Sequence, residues 1–241
     1  MGANFQVGYE ERLCRRSNLS ATLSTSTMGA SNYPIPSSGA IYSKHVVVFR
    51  GPHEHYKEWE EESWRSLPVI SLPAVRWPKL GNMGTTYAFE VEKELMRDKI
   101  RGALRICNWE GHDHVVIADF GLGNSHRNPP LELAELWRDV FLYDPDIRGY
   151  FKHVAFVFED KTQSTSKLIV DDMSRKSKSS GSSSRAKSKG HHGSGSSGGF
   201  PSSGAVYPTD FEIFDQVFRQ DQVRDVLTRP DPRYGISMLT S

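Results

Sequence analysis

Cysteine is scarce: the 241-residue chain has two, Cys14 and Cys107. That excludes a secreted scaffold stapled by disulfides, and a reducing compartment, cytoplasmic or nuclear, is the expectation. Long apolar runs are missing too. No stretch approaches the roughly 20 apolar residues of a membrane span, and Met1–Arg16 has no apolar run of signal-peptide type, so no membrane association is expected. Nor does one sign of charge prevail. With 30 Lys and Arg against 29 Asp and Glu, the formal net charge is +1, which advertises neither direct DNA binding nor a membrane surface. The apolar fraction, 37%, is low for a chain of this length.

One segment explains that deficit. Residues 174–204 are dominated by Ser and Gly, with Phe200 as the single large apolar side chain. Such a stretch cannot bury enough apolar surface to offset its ordering entropy, so a disordered insertion is expected over 173–206. It holds six basic residues (Arg175, Lys176, Lys178, Arg185, Lys187 and Lys189) and no acid, leaving 24 basic against 29 acidic residues elsewhere. Its Lys-Ser pairs could take a modification or attract polyanions, or the insertion could be passive. The body is then 1–172, and 207–241 is a helical segment that docks back on it.

Within the body, strand and helix signals alternate. His45–Arg50, Leu67–Ala74, His114–Ile117 and Val154–Phe158 are short, β-branched or aromatic runs bounded by breakers or charge, and read as strands. Residues 87–108 keep roughly helical spacing through Val91, Leu95, Ile100, Ala103, Leu104 and Cys107. Leu131–Leu142 is amphipathic and follows Pro129-Pro130, which suits a first helical turn. Asp210–Leu227 reads as one amphipathic helix or a helix pair. Near-continuous apolar strands between helices imply a mixed, mostly parallel sheet covered on both faces, a three-layer α/β/α sandwich. Ligands of such folds bind beyond the carboxyl ends of strands.

Two stretches could carry chemistry. At Ile117–Pro130 a strand gives way to Gly121 and Gly123, then Asn124, Ser125 and Asn128, then a helix. Glycines let a backbone approach a ligand, and successive N–H groups can face an anion; an ordinary strand-to-helix turn needs glycine as well. At Gly8–Leu19 the adjacent carboxylates Glu10 and Glu11 precede an apolar and basic helical pattern. Acids in a first helical turn merely suit the helix dipole; alternatively, one could protonate a glycosidic leaving group while the other holds a sugar hydroxyl. Asp119 ends a strand at the ligand edge, to touch a nucleoside or to cap a turn. The pairs His53/His55 and His112/His114 have metal-compatible spacing, but no third cluster accompanies them and no metal is expected. The acidic run Glu58–Glu62 with Trp59 and Trp64 reads as an exposed face or an interaction patch.

A joint pattern is more specific. Glu10, Glu11, Leu13, Cys14, Arg15, Arg16, Ser17 and Leu19 resemble the signature of microbial-type poly(ADP-ribose) glycohydrolases. In that family a glycine run, a spacer and Gln-Glu-Glu open a helix continuing L-C-x-R-S-x-L. Tyr33-Pro34, Ile41-Tyr42-Ser43 and Val46–Arg50 resemble the family's next segment, Val69–Ala74 its next core strand, Asp119–Pro130 its diphosphate loop and Val154–Phe158 its last sheet strand. The resemblance covers most of residues 8–160, in order.

The resemblance implies a macrodomain-like fold that binds ADP-ribose and hydrolyses the ribose–ribose bond of poly(ADP-ribose). Glu11 would be the general acid and Glu10 would position the ribose. Gly2, Tyr9, Asp119, Phe120, Gly121, Leu122, Gly123, Asn124 and Asn128 would contact ADP-ribose, the loop amides cradling its diphosphate. No cofactor is required, because carboxylates and the diphosphate would stabilise an oxocarbenium-like transition state. A monomer with ADP-ribose or its polymer as substrate or ligand is the expectation. Departures are equally specific. Tyr9 stands where the family has Gln, Gly2 is followed by Ala3 and Asn4 rather than glycines, and Asn124-Ser125 replace the aromatic after G-x-G. The family's preceding strand and Asn-bearing loop have no counterpart, as in an N-terminally truncated chain. A macrodomain that binds ADP-ribose without cleaving it is the competing reading; a ligand-free remnant is the third.

Overall fold

The computed structural model describes residues 8–25, 31–52, 54–180 and 206–229. Gly2, His53 and residues 181–205 of the Ser/Gly-rich stretch lie outside them. The residues expected to form one body fall into two compact units. One comprises the chain up to Pro73 with Arg101–Glu110; the other comprises Ala74–Ile100 and the chain from Gly111 onward.

The first unit is organised by the apolar residues between its acids and its strands. Helix α1 (Tyr9–Arg16) opens with Glu10 and Glu11 and closes with Arg15 and Arg16, charges that match the two ends of its dipole. Ser17 stops it. The Ser17 hydroxyl donates to the Leu13 carbonyl at 2.6 Å and accepts from the Leu19 amide at 3.2 Å, turning the chain into α2 (Leu19–Ser24). Leu19 and Leu23 pack with Val46, and Leu13, Cys14, Ile41 and Val69 close around them. Strand β1 (Ile41–Val48) pairs antiparallel with β2 (Arg65–Ser71) from Ile41 opposite Ser71 to Val48 opposite Arg65, with an irregularity between Ser43 and Val46. Asn18 locks α2 to β1: its amide donates to the Val47 carbonyl, and its side-chain oxygen accepts from the Val47 amide at 2.8 Å. The acidic run at Glu58–Glu62 is exposed apart from half-buried Trp59 and ends in a short 3-10 turn.

The second unit holds a short hairpin, β3 (Leu80–Gly81) and β4 (Thr86–Tyr87), and a parallel pair, β5 (His114–Ile117) and β6 (His153–Phe156), in register from His114 with His153 to Ile117 with Phe156. Helix α3 (Glu90–Trp109) begins here, and its last residues belong to the first unit. Its buried stripe is Met96, Ile100, Leu104 and Cys107; Val91, expected in that stripe, is 79% exposed, and Trp109 is solvated. Helix α5 (Pro130–Tyr143) buries Leu133, Leu136, Trp137, Val140 and Phe141. Phe156 meets Trp137 edge-on at 5.7 Å between ring centroids and Phe214 at 5.1 Å. Phe214 belongs to α7 (Asp210–Val217), which Thr209 and Glu212 begin with a reciprocal capping box. Arg148 donates to the Val226 and Arg229 carbonyls, each at 3.0 Å, and so holds α8 (Gln220–Thr228). The described part of the C-terminal segment, 206–229, is thus two helices.

Two expectations need correction. The β5/β6 pair is largely open to solvent rather than covered on both faces: His114, Val116, His153, Val154 and Ala155 are exposed, Val115 is half-buried, Ile117 is buried, and Phe156 enters the aromatic cluster. Among the described residues the strands form three two-stranded pairings, two antiparallel and one parallel, rather than a mostly parallel sheet. The basic stretch also starts later than composition suggests: helix α6 (Thr165–Ser180) continues through its first seven residues, 174–180. Ile169 propagates the helix, packed where a side chain on Gly84 would sit.

The β5/β6 register is pinned at its start by Asp113. Its carbonyl accepts from the Lys152 amide at 2.8 Å, and its carboxylate touches Lys152 Nζ and His114 Nδ1, both at 2.6 Å. Lys152 first, then His114, pulls the Asp113 carboxyl down to about 2. A folded value below the ordinary one of about 3.9 means the contribution to stability is complete above pH ~4 and is lost as pH falls through about 2. A carboxyl NMR titration is expected to place the Asp113 midpoint near 2, and Lys152→Ala to move it towards the ordinary value. An ordinary midpoint in the wild-type chain would contradict the pinning.

Candidate functional site

The bend between β5 and α5 is built around one side chain. Asn128 is 0% exposed. Its Nδ2 donates to the Gly121 and Val75 carbonyls, each at 2.8 Å, and its Oδ1 accepts from the Tyr87 hydroxyl at 2.9 Å. Its backbone amide closes back on the Gly121 carbonyl at 3.2 Å. Both Nδ2 donors are thereby satisfied. Asn128, expected to touch ADP-ribose, is shut away from solvent, and its side chain sets the shape of the bend. Burial, then Glu132 and Glu92, pushes the Tyr87 hydroxyl up, so it stays protonated and keeps donating.

Glycine is required twice. Gly121 has φ +80°, and a Cβ there would lie 3.0 Å from both Asn128 Nδ2 and Met96 Cε. Gly123 has φ +70°, with Gln163 Oε1 3.1 Å from its Cβ position. Not all of the expected cradle is open. The Gly123 amide donates to Thr165 Oγ1 at 2.8 Å, Leu122 N–H to the Asp119 carbonyl at 3.1 Å and Phe120 N–H to the Ala118 carbonyl at 2.6 Å. Phe120 turns edge-on to Trp137, and Leu122 is buried. Asn124 and Ser125, in the one-turn helix α4 (Gly123–His126), are exposed, and first-turn amides have no intrahelical partner. Asp119 is half-buried.

Sequence reasoning missed the cationic side of this bend. Arg127 adopts φ +55°, uncommon outside glycine. Its guanidinium lies 4.3 Å from the Trp77 ring centroid, donates to Asn124 Oδ1 and pairs with Asp172 at 3.2 Å. Lys176 first, with Arg127 adding, holds the Asp172 carboxyl below its ordinary range. Arg76 donates to the Ser125 carbonyl at 3.2 Å. Burial, then Arg76, holds His126 below its ordinary value, so it is neutral at pH 7 and the positive charge here is that of the arginines. Nothing local in the sequence links Arg127 to Trp77 or Asp172.

In the first unit, the paired acids sit on the first turn of α1, and both are exposed. Glu10 accepts from the Tyr33 hydroxyl at 2.9 Å, and burial followed by that bond pushes the Tyr33 hydroxyl up to about 12. Glu11 pairs with Arg15 one turn on. Tyr9 is exposed, with the Arg12 guanidinium 6.0 Å from its ring. Among the described residues no group of three or more His, Cys, Asp or Glu could hold a metal ion, and no helix is long and apolar enough to cross a membrane.

No protein-family model matches the chain, and no curated protein does. Solved structures define its class as a mixed α/β, macrodomain-like fold. The fold is that of bacterial poly(ADP-ribose) glycohydrolases. The enzyme from Deinococcus radiodurans in complex with ADP-ribose matches with a TM-score of 0.51 at 21% identity, over 71% of this chain and 70% of that one. A second crystal form of that complex gives 0.51 at 23% identity over 69% and 67%. The Thermomonospora curvata enzyme bound to the inhibitor ADP-HPD is 23% identical over 56% of this chain and 49% of that one, with a TM-score of 0.44. At these identities the fold is what is shared.

Asn128→Ala leaves the Tyr87 hydroxyl and the Val75 carbonyl without this partner, while the Gly121 carbonyl keeps the backbone amide of residue 128. At about 1–3 kcal/mol for an unsatisfied buried group, the loss should reach about 3 kcal/mol. Urea unfolding measures it, and a loss under about 0.5 kcal/mol, typical of a surface position, would contradict the structural role.

Proposed function

We propose that the chain binds ADP-ribose through the Asp119–Asn128 bend and hydrolyses ribose–ribose bonds of poly(ADP-ribose) or related ADP-ribosylated substrates. One observation carries the reading. The Glu-Glu pair stands on the first turn of α1, ahead of Leu13, Cys14, Ser17 and Leu19, in a chain whose fold is that of bacterial poly(ADP-ribose) glycohydrolases.

The roles follow from chemistry. Glu11 protonates the leaving ribose oxygen as the glycosidic bond breaks, and the resulting carboxylate accepts a proton from the attacking water. It must first release Arg15, which an exposed, flexible pair permits at small cost. Glu10, held by Tyr33, accepts hydrogen bonds from ribose hydroxyls and fixes the sugar. The diphosphate lies on the open amides of Asn124 and Ser125, within a bend that Gly121 and Gly123 allow and Arg76 and Arg127 make positive. Gly2 and Tyr9 complete the proposed ligand contacts.

A binding-only reading has its own support: Glu11 is engaged by Arg15, and Tyr9 replaces the family's Gln. Catalysis and binding separate in one pair of measurements. Glu11→Gln is expected to slow release of ADP-ribose from the polymer by about 10²-fold or more, with affinity for free ADP-ribose nearly unchanged by calorimetry. No release by the intact chain, with heat of ADP-ribose binding retained, would leave the binding module. No heat at millimolar ligand would reject both.

A further inference from the structure

The bend is not held by its own residues alone. Asp210, the first residue of α7, is 0% exposed, and its two carboxylate oxygens are divided among three donors. One accepts from the Thr165 amide at 2.8 Å; the other accepts from the Thr165 hydroxyl at 2.7 Å and from Gln163 Nε2 at 2.9 Å. Thr165, also fully buried, passes the connection on, because its hydroxyl oxygen accepts the Gly123 amide. Gln163 packs against the bare face of Gly123, and the Asp210 amide donates to the Gln163 carbonyl at 2.8 Å. A residue 87 positions along the chain thus reaches the second glycine of the bend through a single hydroxyl.

We propose that Asp210 is a positioning residue for the diphosphate loop, acting through Thr165 to fix the direction of the Gly123 amide and hence of the amides that follow it. The proposal rests on the reading of that bend as the diphosphate seat. Burying a carboxylate is expensive unless every lone pair finds a donor. Desolvation does push the Asp210 carboxyl up, and the bonds from Thr165 and Gln163 oppose it. Two helix starts ease the cost: Asp210 is in the first turn of α7, and the Thr165 amide is a first-turn amide of α6. The result is directional. With its hydroxyl proton drawn to Asp210, Thr165 presents a lone pair to Gly123 and holds that amide inward. Gly123 is the residue with most freedom to turn otherwise. Asp172 ties the other end of the loop to the same helix through Arg127. Helix α6 therefore grips the loop at both ends, and α7 grips α6.

Thr165→Val keeps the shape and removes the hydroxyl, whereas Thr165→Ser keeps the hydroxyl. Thr165→Val is expected to weaken ADP-ribose binding by about tenfold and to speed hydrogen exchange at the Gly123 amide, and Thr165→Ser to restore both. Affinity is read well below each variant's melting temperature, so a merely structural role would shift the melt and leave the affinity alone. Wild-type affinity in Thr165→Val would overturn the proposal. Should that variant fail to fold, Asp210→Asn is read in the same way. One measurement needs neither variant nor ligand: in the wild-type chain the Gly123 amide must exchange far more slowly than those of Asn124 and Ser125, and equal rates would overturn the proposal. If the wild-type chain does not bind ADP-ribose, the diphosphate reading fails. The Gly123 exchange rates in Thr165→Val and Thr165→Ser then decide the positioning link by themselves.

Discussion

The shape of the bend between β5 and α5 depends first on the side-chain amide of Asn128. A strand-to-helix turn with two left-handed glycines has many ways to sit, since glycine loses more conformational freedom on folding than any other residue. Asn128 removes that freedom from inside. It bonds the bend to itself at Gly121, to the preceding segment at Val75 and to the β3/β4 hairpin at Tyr87. Gly121 is glycine because any side chain would strike that amide. With the inner surface of the bend tied down, the exposed residues are Asn124 and Ser125. A preorganised set of donors of this kind need not reorganise when an anion arrives.

The first unit separates scaffold from chemistry within one short helix. Leu13, Cys14, Ser17 and Leu19 serve packing: they seat α1 and α2 on β1. Glu10, Glu11 and Arg15 face outward. The apolar half of the motif explains why the helix lies where it does, and the charged half is left over by the fold. That residue is what the functional reading takes up. Arg15 makes it conditional, since in the proposed reaction the carboxylate of Glu11 would trade a guanidinium for a sugar oxygen.

Local patterns were legible; pairings over distance were not. The β5 strand, α5 with its proline start, the amphipathic run that becomes α7 and α8, and the two glycines follow from period and breakers. Val91 was misplaced because spacing alone does not say where a helix's buried stripe begins. Residues 174–180 were misjudged because composition weighs a window, whereas a helix already anchored through Ile169 extends past its last apolar contact. For Asn128 the sequence offered no way to choose, because an Asn beside a glycine bend serves a fold and a nucleotide equally well in one dimension. Two of its partners lie 41 and 53 residues away, and those of Asp210 lie beyond a long Ser/Gly-rich stretch, so neither set of distant contacts had a local signal.

The bend is the place to look first. In 1H–15N correlation spectra, ADP-ribose is expected to move the Asn124 and Ser125 amides with a saturable dependence, and adenosine, which lacks the diphosphate, to leave them in place. Amides that stay unmoved at millimolar ADP-ribose, or that respond to adenosine alone, would contradict the assignment of the diphosphate to this turn.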